Sequence, residues 1–321
     1  MSFSTRTKEE LARIETKPCC QPAELAALVK ICGRVRNGQK EVPSLELGTE
    51  NAGVARKIFK LCKKLFDFEP RVIAKRTRRL RKTNRYLVLV ENDPKLRPAL
   101  IKLGVIDFNS RPKQGFKKGL IKRACCRRAC LRGAFLAGGW VASPQNSYHL
   151  EILVRNEKDA RDLLDLMVDL DLDAGIAPRK QDFMVYLKDG EQIVRCLNLV
   201  GAHNALLKYE NVRIYKGMRN RVNRLVNCDT ANLNKAVLAG VRQEEYIRLI
   251  NDCIGLDKLP DPLKYVARLR LLHPEASLRE LGELADPPLS KSCINHRMRK
   301  LEKIASQLRA ERQRQVNPGR E

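Results

Sequence analysis

Two nine-residue stretches constrain this chain more than any other part of it. Leu131-Arg132-Gly133-Ala134-Phe135-Leu136-Ala137-Gly138-Gly139 is an apolar helical segment with small residues (Gly133, Ala134, Ala137, Gly138) three to five positions apart. Small residues along one helix face allow a second backbone to approach closely, so the segment requires a partner helix. About a hundred residues earlier, Leu25-Ala26-Ala27-Leu28-Val29-Lys30-Ile31-Cys32-Gly33 supplies one. Both begin with Leu, carry a small residue third and finish on Gly, the residue best suited to end a helix in the left-handed conformation.

The rest of the first two hundred residues repeats with them. Leu45-Glu46-Leu47 is echoed by Leu150-Glu151-Ile152, and Ala55-Arg56 by Ala160-Arg161. Phe59, Leu61 and Leu65 are echoed by Leu164, Leu166 and Leu170, all at one offset of about 105 residues. Tyr86–Val90 matches Phe183–Leu187 at a shorter offset, because the first copy carries a longer basic insertion. The order helix, strand, helix, strand, strand, helix is therefore expected twice.

The nonamers resemble the LAGLIDADG helices of homing endonucleases, which pair at a pseudo-two-fold axis beneath curved sheets. The resemblance implies an α+β fold of two αββαββα-type halves. In that family each helix delivers a carboxylate from its eighth position to a divalent metal. Here those positions are Cys32 and Gly138, and the sixth are Lys30 and Leu136. Magnesium requires hard oxygen ligands, so the scaffold is expected without its chemistry: no catalytic residue, no cofactor and no metal.

Composition bears on the partner. The chain of 321 residues has a formal charge of +26 and a pI near 9.9, and a globular chain this basic usually meets a polyanion. Eleven Cys without a signal peptide suit a reduced cytoplasm, the nucleoid being the expected location. Cys19-Cys20 and Cys125-Cys126 with Cys130 lack paired CxxC spacing, and the four His are scattered. Buried small thiols are therefore expected, not a zinc site. No run of about eighteen apolar residues suggests a membrane span.

Charge and breakers divide the chain into seven parts. An N-terminal helix (1–17), capped by Ser4 or Thr5, precedes the first repeat (18–107). A basic linker (108–124), the second repeat (125–212) and a second basic linker (213–230) follow. A helical domain (231–310) and a polar tail (311–321) complete it. In the first repeat Asn37-Gly38-Gln39-Lys40 reads as a turn, and the helix Ala55–Phe66 has a basic face of Arg56, Lys57, Lys60, Lys63 and Lys64. The densest positive stretch, Arg71 to Arg85, contains Arg76, Arg78, Arg79, Arg81 and Lys82. Its β-rich flanks predict a hairpin with a turn at Lys82-Thr83-Asn84 and an arm lying along phosphates. In the second repeat the corresponding helix is acidic, from Glu157 to Asp173, and should face away from nucleic acid; a solvated face and a protein docking surface are both open readings.

The C-terminal region is all helical. Val237, Leu238, Val241, Ile247 and Ile250 are expected inward on a helix from Asn232 to Ile250. Ser277-Leu278-Arg279-Glu280 has capping-box spacing, Asp286-Pro287-Pro288-Leu289 makes a rigid turn, and Ser290 caps a last helix. That helix carries an apolar stripe of Ile294, Met298, Leu301, Ala305 and Leu308. Opposite it stand Ser292, His296, Arg299 and Lys303, flanked by Asn295 and Lys300. A short helix, a tight turn and a basic amphipathic helix is the helix-turn-helix pattern, whose second helix enters the major groove. The residues expected at DNA are Arg279, Ser290, Lys291, Ser292, Asn295, His296, Arg299, Lys300 and Lys303, with the arm's Arg76, Arg78, Arg79, Arg81 and Lys82.

This region, with Asn227-Cys228-Asp229-Thr230-Ala231-Asn232 and the opening Ser2-Phe3-Ser4, resembles the WhiA family over nearly the whole chain. The resemblance implies a DNA-binding transcription regulator of Gram-positive bacteria, acting in sporulation, cell division and chromosome segregation. Its C-terminal half is likened to the promoter-reading part of sigma factors. The implied partners are double-stranded promoter or operator DNA, another transcription regulator or RNA polymerase, and no membrane. Two other classes stay open: a divergent metal-dependent nuclease, and an interaction scaffold with non-specific DNA binding.

Overall fold

The computed structural model describes residues 1–37, 43–76, 84–91 and 93–316. It divides into two compact units, residues 1–216 and 217–321. The first opens with α1 (Phe3–Ala12), capped by Ser2, whose hydroxyl accepts from the Thr5 amide. Ser4 and Thr5 are thus inside the helix. Ser4 is buried and accepts instead from the Val141 amide at 3.3 Å.

Each repeat has the order αββαββα. The first is α2 (Gln21–Cys32), β1 (Gly33–Asn37), β2 (Pro43–Thr49), α3 (Ala52–Phe66), β3 (Arg71–Arg76), β4 (Asn84–Val90) and α4 (Leu96–Leu103). The second is α5 (Ala124–Gly138), β5 (Gly139–Val141), β6 (Leu150–Val154), α6 (Glu157–Val168), β7 (Gly175–Arg179), β8 (Asp182–Leu187) and α7 (Gly190–Val200). The antiparallel sheets have matching orders, β1-β2-β4-β3 and β5-β6-β8-β7. The repeat is in register: Gly33 pairs with Leu47 and Gly139 with Ile152, the echoed positions. Residue patterning alone indicated one strand after each nonamer and so left out β1 and β5, which the αββαββα halves implied by the resemblance include.

The small residues do what their spacing requires. α2 and α5 lie parallel, since Cys126 meets Cys19 and Cys20, Gly133 meets Glu24 and Ala27, and Gly138 meets Ile31. A methyl group on Gly133 would overlap the Glu24 carbonyl oxygen and sit 3.1 Å from the Ala27 side chain. One on Gly138 would overlap the Leu153 carbonyl oxygen. The terminal glycines differ from expectation. Gly33 (φ −82°, ψ 154°) and Gly139 (φ −77°, ψ 150°) are extended, because each helix turns directly into a strand. Glycine is needed there because a Cβ would overlap the carbonyls of Val29 and Phe135 in the preceding turn.

Between α2 and α5 lies a cluster of buried charge. Glu24, fully buried, accepts from Arg132 Nε (3.0 Å) and Nη2 (3.1 Å), from Lys57 Nζ (2.9 Å), and from the Thr16 hydroxyl. Lys57 also donates to the carbonyls of Leu11 and Ile14. It therefore does not join the basic outer face of α3, to which its position had assigned it.

Residues 108–124 are folded onto the second repeat. Gly115 donates its amide to Asp159 (2.5 Å) and Phe116 to Asp162 (2.7 Å), while Lys30 lies 3.7 Å from Asp159. Two acids of α6 thus anchor this connector. Gly115 is at φ +83°, and a Cβ would come 2.7 Å from Asp162 Oδ2.

Residues 213–230, expected as a linker, lie within α8 (His203–Ile254). The segment holds no Pro and only Gly217, so nothing interrupts the helix. Unit 2 continues with α9 (Asp261–Leu272), α10 (Leu278–Glu283) and α11 (Lys291–Val316). Its core gathers Ile247, Ile250, Val266, Ala267, Leu281, Ile294, Met298, Leu301 and Ala305. Val237, Leu238 and Val241, expected inward, are exposed, and only Ile247 and Ile250 of that stripe are buried. Among the described residues, no helix is long and apolar enough to cross a membrane.

Candidate nucleic-acid interface

The C-terminal head is built on two caps and one close approach. Ser277 accepts from the Glu280 amide (3.3 Å) while Glu280 accepts from the Ser277 amide (2.7 Å), which satisfies two free donors at the start of α10. This bond to its own cap holds the Glu280 carboxyl below its usual range. The chain then turns back so tightly that the Leu289 amide donates to the Gly282 carbonyl at 2.9 Å. A Cβ on Gly282 would overlap the Leu289 carbonyl oxygen. Ser290 accepts from the Cys293 amide (3.2 Å) and starts α11. Arg270, 2% exposed, donates to the carbonyls of His273, Pro274 and Ala276, fixing the turn between α9 and α10.

On that frame α11 buries Ile294, Met298, Leu301 and Ala305. Its other side leaves Lys291, Ser292, His296, Arg299, Lys300 and Lys303 exposed, with Ser290 just ahead and Asn295 half-buried at the edge. No acid occurs on α11 before Glu302. Arg279, on α10, is exposed but ion-paired with Glu283 at 3.0 Å, so it must exchange that partner before it can reach a phosphate.

In unit 1 the solvent face of the first sheet is basic. Strand parity places Arg34, Arg36, Arg71, Lys75 and Arg85 together, all exposed. Among the described residues, Glu46 and Glu91 offset two of them, at 3.4 Å from Arg36 and 3.6 Å from Arg71. Arg34 and Arg36 were overlooked because β1 was; the alternation in Gly33-Arg34-Val35-Arg36 was the available signal. Arg76 pairs with Asn84 at the exposed end of β3. Arg78, Arg79, Arg81 and Lys82, with the turns at Asn37–Lys40 and Lys82–Asn84, fall on or run into segments outside the described residues.

The second sheet's equivalent face is aromatic and internally satisfied. Trp140 and His149 lie 6.1 Å apart, and His149 stacks near Tyr186 at 6.2 Å. Glu151 bonds His149 at 3.0 Å and is ion-paired with Arg179. The face of the first sheet is thus the more basic of the two.

The C-terminal end of α2 is flanked by the cations Lys8 and Arg155, and neither Cys32 nor Gly138 offers a carboxylate. Arg155 donates to the Gly33 carbonyl at 2.7 Å. Burial pushes the Cys32 thiol up to about 11, opposed by the charges of Lys8 and Arg155. Burial also pushes Lys8 down to about 8. At the other ends of the same helices Cys19, Cys20, Cys125 and Cys126 converge. Their sulfurs lie within 4.8 Å of one another, the one such grouping among the described residues that could hold a metal ion. Of the buried small thiols expected here, Cys20 and Cys126 are buried, Cys125 is half-buried and Cys19 is exposed; two vicinal pairs a hundred residues apart form no recognisable spacing, and only the helix pairing joins them.

These features define a two-repeat LAGLIDADG-type domain without its carboxylates, carried in one chain with a helix-turn-helix head. Three domain models match in succession: the WhiA N-terminal LAGLIDADG-like domain over residues 18–106, the WhiA LAGLIDADG-like domain over 127–219 and the WhiA C-terminal HTH domain over 222–305. The chain belongs to the WhiA family. It is similar to a "Probable cell division protein WhiA" of Desulforudis audaxviator, 57% identical and covering 98% of this chain and 100% of the relative. A protein of the same name from Desulforamulus reducens is 54% identical, with 97% of each chain covered. The crystal structure of full-length DUF199/WhiA from Thermatoga maritima matches with a TM-score of 0.58 at 25% identity, over 96% of this chain and 99% of that one.

Proposed function

We propose that this chain is a sequence-specific, non-enzymatic DNA-binding transcription regulator acting in cell division, in keeping with the names of its relatives. Sporulation and chromosome segregation are further settings for the same activity. The observation that carries the reading is α11, which stands on a doubly capped turn with Ser292, Asn295, His296, Arg299 and Lys303 on or beside its uncovered side. Arg to guanine and Asn to adenine are the base pairings that geometry favours. The basic face of the first sheet, with the Arg76–Lys82 arm, adds contacts to phosphate that carry no sequence information.

A nuclease is disfavoured because Cys32 and Gly138 occupy the metal-binding positions and the Arg155 guanidinium lies against Gly33. The test is selection of bound sites from a random duplex library by the full chain. Asn295→Ala and Arg299→Ala are expected to flatten the selected sequence, each lost base contact being worth about 1–3 kcal/mol of discrimination. An unchanged preference in both variants overturns the assignment of the reader. Plasmid incubated with protein and magnesium or manganese is expected to stay intact; cutting abolished by a point change in the chain would restore the enzyme reading.

A further inference from the structure

We propose that Cys19, Cys20, Cys125 and Cys126 form a tetrahedral zinc site that clamps the N-terminal ends of α2 and α5. The four sulfurs come from two vicinal pairs, one in the turn entering α2 and one on the first turn of α5. Their close distances are 3.6 Å (Cys19 to Cys20), 3.9 Å (Cys125 to Cys126) and 4.0 Å (Cys20 to Cys126). Four thiolates on one ion with zinc–sulfur bonds of about 2.3 Å sit at the corners of a tetrahedron with edges of about 3.8 Å. Those three separations bracket that edge, and all four sulfurs lie within 4.8 Å of one another. An iron–sulfur cluster spreads its cysteines over several iron atoms and needs wider spacing. A disulfide requires sulfurs about 2.05 Å apart, whereas Cys20 and Cys126, which bridge the repeats, are 4.0 Å apart.

The chemistry of the surroundings agrees. Four soft sulfur donors with no oxygen ligand favour zinc over magnesium or calcium. Binding converts four thiols and one zinc ion into a tetrathiolate complex of charge −2, releasing four protons. Each helix N-terminus carries roughly half a positive charge, and two of them meet here. Lys17, Arg123 and Arg127 flank the cysteines in sequence, with no acid among the neighbouring residues. A bound ion would join the two repeats through one centre, at the opposite ends of α2 and α5 from the place where nucleases of this scaffold hold their metals.

The experiment is titration of the reduced, chelator-stripped full chain with cobalt(II), followed by zinc. The expected result is one cobalt per chain, with thiolate charge-transfer and intense tetrahedral d–d bands that zinc abolishes. Cys62→Ser and Cys196→Ser should bind as the wild type does. The double variant Cys19→Ser/Cys125→Ser should bind at least about 100-fold more weakly. A second measurement needs no variant: alkylation mapped by mass spectrometry. Zinc should protect Cys19 and Cys125 about ten-fold or more, while the exposed Cys228 and Cys253 label equally with and without it. Absence of stoichiometric binding, unprotected Cys19 and Cys125, or a disulfide joining the two pairs in the freshly purified chain would each overturn the proposal.

Discussion

Replacing Glu24 by Gln should destabilise unit 1 severely. Two oxygens of Glu24 satisfy Arg132 at two nitrogens, Lys57 and Thr16, and the carboxylate is fully buried. Glutamine leaves one acceptor oxygen and turns an amide donor toward donors. Lys57 (side chain 5% exposed) and Arg132 (11%) then share that one neutral oxygen, their other partners being the carbonyls of Leu11, Ile14 and Val200 and the Thr16 hydroxyl, and no carboxylate faces them. Breaking a buried pair so that charge is left behind costs about 3–5 kcal/mol, a large part of a total stability of about 5–15. For a unit of this size that lowers the melting temperature by roughly 6–20 °C. Trp140, the only tryptophan, lies on β5 and reports unit 1 within the full chain. pH supplies the second reading. Burial alone would raise Glu24, but the hydrogen bonds and charge of Arg132, then the charge of Lys57, take it below its ordinary value of 4.5. Lys57 is lowered too, because for it burial outweighs the attraction of Glu24. A carboxyl depressed in the folded state contributes stability that is full above the unfolded value and is lost as pH falls through the folded one. The acid limb of the wild-type stability profile should therefore flatten in Glu24→Gln. As a control, Glu46→Gln removes an exposed pairing with Arg36 and should cost less than about 1 kcal/mol. A Trp140 transition within about 1 kcal/mol of wild type in Glu24→Gln, or an unchanged acid limb, would refute the reasoning.

Three further outcomes follow from close approaches and charge. Gly282→Ala places a methyl group on the Leu289 carbonyl; it should destabilise unit 2 by about 1–3 kcal/mol in helical circular dichroism and weaken specific more than non-specific DNA binding. Gly115→Ala combines a left-handed φ of +83° with a contact on Asp162, and should cost at least about 1 kcal/mol and accelerate proteolysis between 108 and 124. Neutralising Arg34, Arg36 and Arg85 together should weaken binding to every duplex alike; if each meets one phosphate, the slope of log affinity against log salt falls by about 2.7.

What the sequence displayed was periodicity, and what it concealed was pairing. The two nonamers, the strands at Leu45–Leu47 and Leu150–Ile152 and the reader helix were legible because burial repeats along a single element: Ile294, Met298, Leu301 and Ala305 recur at helical spacing and are all buried. β1 and β5 were hidden because each follows its helix without a turn, the glycine serving both as helix end and as strand start. Lys57 looked like surface because five cations occur on α3, and nothing local distinguishes the one whose carboxylate lies 33 residues upstream. Val237, Leu238 and Val241 fit the inward stripe of a helix that buries only its C-terminal part, so pattern alone overstated the core. The four-cysteine grouping depends wholly on α2 meeting α5 and could not be found in either half alone.

The two copies also diverge in charge, which bears on the proposal of a DNA-binding protein that does not cut. A cleaving pseudo-dimer needs both helix ends acidic and both sheets close to phosphate. Here the first sheet keeps five exposed cations on its open face, whereas the second turns its acid inward on Arg179 and His149 and lets Trp140 and Tyr186 cover the strands. The acids of α6 are likewise engaged, Asp159 and Asp162 holding the connector by its amides. Positions 32 and 138 hold Cys and Gly, so neither helix end offers a carboxylate that would require the two halves to match. One half presents an exposed basic face while the other has its face filled by aromatic rings and an internal ion pair. The asymmetry of charge is therefore a physical counterpart of the missing acids: removing positive charge from the first sheet should reduce affinity for all duplexes, whereas the same number of changes on the second sheet's face should leave the salt slope unchanged.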